Sequence, residues 1–262
     1  MRQKSIKIII LAGFLSLACT TKVSEWVLLN TIPTDYALIY FHKDQLTETE
    51  KQQNTKIEKS INGANIQFRS MIKNDIPRSY YGLYYQKRPF SKYDDPGSMA
   101  GLITSPLREK IAKELLTGKL CVMLYLKTGN QEKDNSRMQI ARQTLEASPF
   151  GKIISFIELN RNDKTENHFV SMLLNVESDL KSIDEPMLFG IFGRFKALEP
   201  LVYKGITEEN IKLMINFLTA DCSCLIKDNL PGTDILCINN WENPVTALVN
   251  KIIDDDPTLL HK

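Results

Sequence analysis

Short apolar runs alternate along this chain with polar stretches that carry helix-capping signals. Tyr36 to His42 (YALIYFH) reads as a buried strand. Thr47-x-x-Glu50 then forms a capping box at the start of a polar surface helix, with Ile57 and Ile61 as its main apolar contacts. Residues 64–71 predict a second strand, Asp75-Ile76-Pro77 a break, and Tyr80 to Gln86 a third strand. A loop with Pro89, Pro96 and Gly97 leads to a short strand at 99–103. Ser105 as cap and Pro106 at the first helical position open a helix with a buried stripe of Leu107, Ile111, Leu115 and Leu116, ended by Gly118. The order then repeats: strand at 120–126 (LCVMLYL), helix at 135–147, strand at 152–159, helix at 167–176, a break at Glu185-Pro186, and strands at 187–192 and 198–203. Thr207 caps a last helix, where Ile211, Met214, Ile215 and Leu218 fall at i, i+3, i+4 and i+7.

The repeat predicts an α/β chain of two tandem units, 35–118 and 119–220, followed by a cysteine-bearing segment at 221–262. The element order of each unit resembles the thioredoxin fold, most clearly from Glu185 to Leu218. That resemblance implies mixed sheets flanked by helices, with Pro186 and its counterpart Pro77 as cis prolines. Proline at strand entry has a simpler reading as well, since it is tolerated there in the trans form. A redox member of that fold carries Cys-x-x-Cys where the first strand meets the first helix, where the thiol pKa is lowered. The two junctions here read His42-Lys43-Asp44-Gln45 and Thr128-Gly129-Asn130-Gln131-Glu132, without a cysteine.

The first residues read as an export signal. Arg2, Lys4 and Lys7 make a basic start, and Ile8 to Leu17 an apolar run shorter than the roughly 20 residues that span a bilayer. Leu15-Ser16-Leu17-Ala18-Cys19 resembles a lipobox, which implies a signal peptide over 1–18, lipidation of Cys19 and a tether over 19–34. Ordinary cleavage near Ala18 is the alternative. Thr20 in place of Asp implies sorting to the outer membrane, and Trp26 to Leu29 predict that the tether packs on the first unit.

Formal net charge is +2, and residues 1–18 hold three basic and no acidic side chains, so the remainder is close to −1. Such a balance gives no overall electrostatic footprint for nucleic acid. Besides Cys19 there are Cys121, inside an apolar strand, and Cys222, Cys224 and Cys237. Cys222-Ser223-Cys224 admits four readings: a soft-metal pair for Cu or Zn, with Cys237 as a third ligand; a reducible disulfide; a structural staple from one of the pair to Cys237; or cysteines that serve as small buried hydrophobes. The histidines (His42, His168, His261) show no ligand spacing to this segment. Tyr80, Tyr81, Tyr84, Tyr85, Phe90 and Tyr93 form an aromatic concentration that suits either a ligand or glycan platform or ordinary strand packing. Asp254 to Asp256 read as a solvated acidic run. P-loop, dinucleotide, H-E-x-x-H, EF-hand and G-x-S-x-G patterns are absent from the sequence.

Three stretches together resemble a family of uncharacterised exported proteins of planctomycete- and verrucomicrobia-like bacteria: Ser105-Pro106-Leu107-Arg108 with Leu116-Thr117-Gly118; Glu185 to Phe189 with Gly193-Arg194 and Lys204-Gly205-Ile206; and Cys222-Ser223-Cys224 with Lys227 and Pro231-Gly232. The resemblance implies tandem thioredoxin-like units and a C-terminal Cys-x-Cys, and brings no activity with it. The expectation is a membrane-tethered, non-catalytic binding or scaffolding protein with an envelope protein partner. Thiol or soft-metal handling through Cys222 and Cys224 is the rival.

Overall fold

The computed structural model describes residues 21–238 and Trp241. Residues 1–20, with Cys19 and the expected export signal, and the acidic run 254–256 lie outside the described residues. Helix α1 (Val23–Asn30) precedes β1 (Tyr36–His42), α2 (Glu48–Ser60), β2 (Ile66–Ile72), β3 (Tyr80–Tyr85), β4 (Arg88–Tyr93) and α3 (Pro106–Leu116). The second half runs β5 (Cys121–Lys127), α4 (Gln131–Ala147), β6 (Ile154–Asn160), α5 (Asn167–Leu173), β7 (Met187–Phe192), β8 (Lys196–Ala197), β9 (Leu201–Val202) and α6 (Glu208–Thr219). A short helix α7 (Cys224–Asp228) and β10 (Thr233–Asp234) follow.

Both halves build the same sheet. In the first the order is β2-β1-β3-β4, with β1 parallel to β2 and antiparallel to β3. In the second it is β6-β5-β7-β8, with β5 parallel to β6 and antiparallel to β7; β9 pairs with β7, and β10 adds to β8. A parallel neighbour requires a crossover, and α2 and α4 supply the two. The result is α/β: two mixed sheets flanked by helices.

Several details differ from the sequence expectations. The fourth strand is β4 (Arg88–Tyr93), in the stretch expected to be loop, while residues 99–103 hold no strand and Pro96–Met99 is a 3-10 turn. Pro89 fits because β4 is an edge strand and needs no N–H on its outer side. Helix α4 begins earlier than expected, because the Asn130 side chain caps the amides of Glu132 (3.1 Å) and Lys133 (3.2 Å). Ser105 precedes α3 without a side-chain cap; its hydroxyl binds Glu166 instead. Helix α1 packs mainly on the second half, not the first: Val23 donates to Ala220 (2.9 Å), Ser24 to the Leu218 carbonyl (2.7 Å), and Val27 lies against Gly193. The apolar side chains of α1 find the floor that α6 leaves open, with Val23 and Val27 fully buried there. Among the described residues no peptide bond is cis, so Pro77 and Pro186 are trans. An X–Pro bond rests trans by about 0.5–1 kcal/mol unless its surroundings select cis. Around Pro186 hydrogen bonds hold the trans chain: Arg161 donates to the carbonyls of Ile183 (2.6 Å) and Glu185 (3.2 Å), and Tyr203 N–H to that of Pro186 (2.9 Å).

Alternation along β5 divides the core. Cys121, Met123 and Tyr125 face one cluster with α1, α4 and α6. Val122, Leu124 and Leu126 face the other, which also takes in Tyr36, Leu38 and Tyr40 of β1, Ile111 and Leu115 of α3, and Phe169 and Leu173 of α5. The helix layer of the first half is thus stacked on one face of the second sheet. A buried polar network ties this seam. Arg108 is 0% exposed. It donates to the carbonyls of Leu102 (2.8 Å), Leu236 (2.8 Å) and Gly101 and to Ser105 Oγ (3.0 Å). Ser105 hydrogen-bonds Glu166, whose other oxygen accepts from Leu107 N–H (2.8 Å). Burial lowers the Arg108 pKa, opposed by Cys237, Glu166 and Tyr36. A buried cation is tolerable only with such complete pairing.

Candidate functional site

The two strand-to-helix junctions are filled by structural hydrogen bonds. In the first, Tyr40 O–H donates to Glu50 (2.7 Å), Tyr81 O–H to Asn54 Oδ1 (3.0 Å), and the His42 ring stacks on Tyr40 at 5.9 Å. The bonds from Tyr40 and Thr47 lower the Glu50 pKa, since they favour its anion. In the second, the Asp134 carboxylate accepts from Thr128 N–H (3.0 Å), Thr128 Oγ1 (3.1 Å) and Gly129 N–H (2.9 Å), closing the loop on itself. Gly129 takes φ +94, which a side chain would strain. Lys133 pairs with Glu185 at 2.9 Å beside this loop. Neither junction presents a thiol.

Cys222 and Cys237 do not come together. Cys222 is buried in the cluster of α1, α4 and α6, whereas Cys237 is a free buried thiol in the seam cluster, on the other side of the second sheet. A sheet between them rules out a Cys222–Cys237 staple and Cys237 as a third metal ligand with Cys222; a Cys224–Cys237 staple involves a side chain outside the described residues. Burial pushes the Cys237 thiol up to about 12, partly offset by Arg108, so it is neutral and unreactive at neutral pH. Cys121 is likewise raised by burial, as its strand position predicts. Cys224 opens α7, and its side chain lies outside the described residues. Among the described residues no group of three or more His, Cys, Asp or Glu side chains is placed to hold a metal ion.

The aromatic concentration is divided by the pleat of β3. Tyr81 and Tyr85 face the core, with Tyr85 4.6 Å from Tyr36 between ring centroids; Tyr80 and Tyr84 face the opposite way beside Phe41, at 5.0 and 6.3 Å. At the seam, Tyr36, Tyr85 and Phe90 wall a cleft of about 400 Å³ that the second half closes with Met172, Asn175 and Glu177. It adjoins a groove of about 550 Å³ along α6, lined in part by Leu213 and Phe217; both contain Val176, Glu177 and Thr233. Tyr36 O–H donates to the Asp234 carbonyl (3.0 Å), the Asp234 N–H reaches Tyr85 Oη (3.2 Å), and the Asp234 carboxylate pairs with Lys196 at 2.8 Å. Burial, with Tyr85 and Asp234 nearby, raises the Tyr36 pKa, keeping it a neutral phenol. At the rim, the two-residue β3–β4 turn puts Gln86 at φ 48 and Lys87 at φ 65. That conformation disfavours residues with a Cβ by roughly 1–2 kcal/mol each, and such strain gathers at functional edges. An aromatic wall, an amide and charges of both signs can hold and orient a ligand. The sequence did not indicate this cleft, because its walls come from Tyr36, Phe90, Asn175 and Thr233, far apart in the chain; the only sequence signal was the tyrosine run.

No protein-family model matches the chain, and no curated protein matches it. Among solved structures, the chain is similar to the first two thioredoxin domains of Naumovozyma dairenensis Eps1p, at 13% identity and a TM-score of 0.29, over 78% of this chain and 97% of that one.

Proposed function

We propose that this chain is a lipid-tethered, non-catalytic binding protein, held through Cys19 at the periplasmic face of the outer membrane, with its ligand in the seam cleft. The observation that carries the reading is a separation of parts. Both junctions where the fold would place redox cysteines are closed by hydrogen bonds of Glu50 and Asp134, Cys222 and Cys237 are buried on opposite sides of a sheet, and the aromatic concave surface lies elsewhere, between the halves. The lipobox-like Leu15 to Cys19 supports the tether. The test is an insulin-reduction assay on the full chain, run beside the Cys222→Ser variant. The expected result is no turnover above the dithiothreitol background for either. Robust turnover that Cys222→Ser abolishes would sink the reading and return the chemistry to the Cys222 and Cys224 pair.

A further inference from the structure

The face of the first sheet that points away from the seam carries a second, unrelated surface. It is formed by Ala37, Ile39 and Phe41 of β1, Tyr80 and Tyr84 of β3, and Gln67, Arg69 and Met71 of β2, which the strand registers bring to one side. No helix among the described residues covers it, since the connection 73–79 is too short to hold one. Lys73 Nζ stands 5.5 Å over the Phe41 ring and Lys92 Nζ 4.4 Å over the Tyr80 ring. The charge around this face is one-sided. Between positions 66 and 92 stand Arg69, Lys73, Arg78, Lys87, Arg88 and Lys92 against Asp75 alone. Asp94 offsets part of this, pairing with Arg78 at 2.8 Å and lying 3.8 Å from Lys92. The near-neutral total charge hides this concentration.

We infer that this open face binds an acidic polysaccharide. The partially positive C–H groups of a sugar ring lie well on the negative face of an aromatic ring. The Tyr80 and Tyr84 hydroxyls offer both donors and acceptors to sugar hydroxyls, beside a Gln67 amide held between Asp35 (2.6 Å) and Arg69 (3.2 Å). Arg69, Lys73 and Lys92 meet the carboxylates. The corresponding face of the second sheet (Val122, Leu124, Leu126) is wholly apolar and receives a helix layer. The phenols and cations of this face suit a hydrated ligand instead. Its position also favours a polymer over the lipid surface: α1, which lies within the tether segment 19–34, packs against the second sheet's far side, on the outer layer opposite this face.

The surface is separate from the seam cleft, so its failure leaves the cleft reading standing, and the reverse. The test is affinity electrophoresis of the full chain in gels containing polygalacturonate, neutral dextran or oligo-dT. Polygalacturonate should retard the protein, dextran should not, and retardation should weaken several-fold from 50 to 300 mM salt. Tyr84→Ala and Lys92→Glu should each weaken the affinity roughly tenfold. Lys92 and Arg69 are exposed, so Lys92→Glu and Arg69→Glu keep the test decisive if Tyr84→Ala fails to fold. Absence of retardation, equal retardation by dextran, stronger retardation by oligo-dT, indifference to the charge reversals, or burial of the face in a stable dimer by sedimentation would each overturn it.

Discussion

The central strands of the two sheets hold corresponding places but differ in what lies over them. In β5, Val122, Leu124 and Leu126 are all 0% exposed, covered by α5 and by the helix layer of the first half. In β1 the matching face is Ala37, Ile39 and Phe41, of which the first two are only partly buried. The cause is chain length between strands. Residues 161–186 join β6 to β7 with room for α5, whereas 73–79 join β2 to β3. One architecture thus gives a sheet buried on both faces and a sheet with one face that no helix among the described residues covers. Apolar area on the first contributes stability, and polar and aromatic groups on the second are available for binding.

This contrast can be broken most forcefully at the seam that joins the two. Arg108→Met would strip the donor from three carbonyls and leave Glu166 without its nearby cation. Urea unfolding should show a loss of about 3–5 kcal/mol, and a loss under 1 kcal/mol would mean the halves do not depend on this network. Next in size, paired truncations measure the covered and open faces directly. Leu124→Ala should lower stability by about 2–5 kcal/mol. Ile39→Ala should lower it by about 1 kcal/mol or less. Equal losses would mean that something covers the first sheet in solution.

A smaller effect concerns the cleft rim. Gln86→Asn with Lys87→Gly places residues suited to positive φ in the β3–β4 turn, and a thermal melt should show a gain of about 0.5–1 kcal/mol. No gain would show that the turn is not strained. The smallest effect is acid dependence at the first junction. Glu50 has a folded pKa below its ordinary value, so its contribution is complete above about pH 4.3 and fades as pH falls through the folded pKa. Because Glu50 is only partly buried and its charge is screened by solvent, the change should be about a few tenths of a kcal/mol. Tyr40→Phe should flatten it, measured as stability between pH 6 and pH 3, and an unchanged pH slope would remove the Tyr40–Glu50 bond from the account.

Where an element's signal is local, the sequence was a sufficient guide. The Thr47 capping box, the Thr207 cap and the apolar runs of β1, β5 and β7 each depend on neighbours within a few positions, and each stands where expected. β4 was missed because its Gln86-Lys87 turn lacks the Asn-Gly signature of tight hairpins, and Pro89 read as loop. The cysteines show the same limit in the candidate chemistry. The sequence offered Cys237 a partner in Cys222 or Cys224, but the alternation of β5 sends the clusters of Cys222 and Cys237 to opposite faces of one sheet.

By itself, then, the amino-acid order determined the α/β class, the repeated strand order and the absence of a thiol pair at both junctions, because periodicity and residue identity are properties of short stretches. Only the tertiary structure decided that α1 belongs with the second half, that Arg108 is a buried tie, that Tyr36, Tyr85 and Phe90 wall a cleft, and that one sheet face stays open. These depend on which surfaces, distant in sequence, exclude water from one another, and a one-dimensional pattern does not encode that pairing.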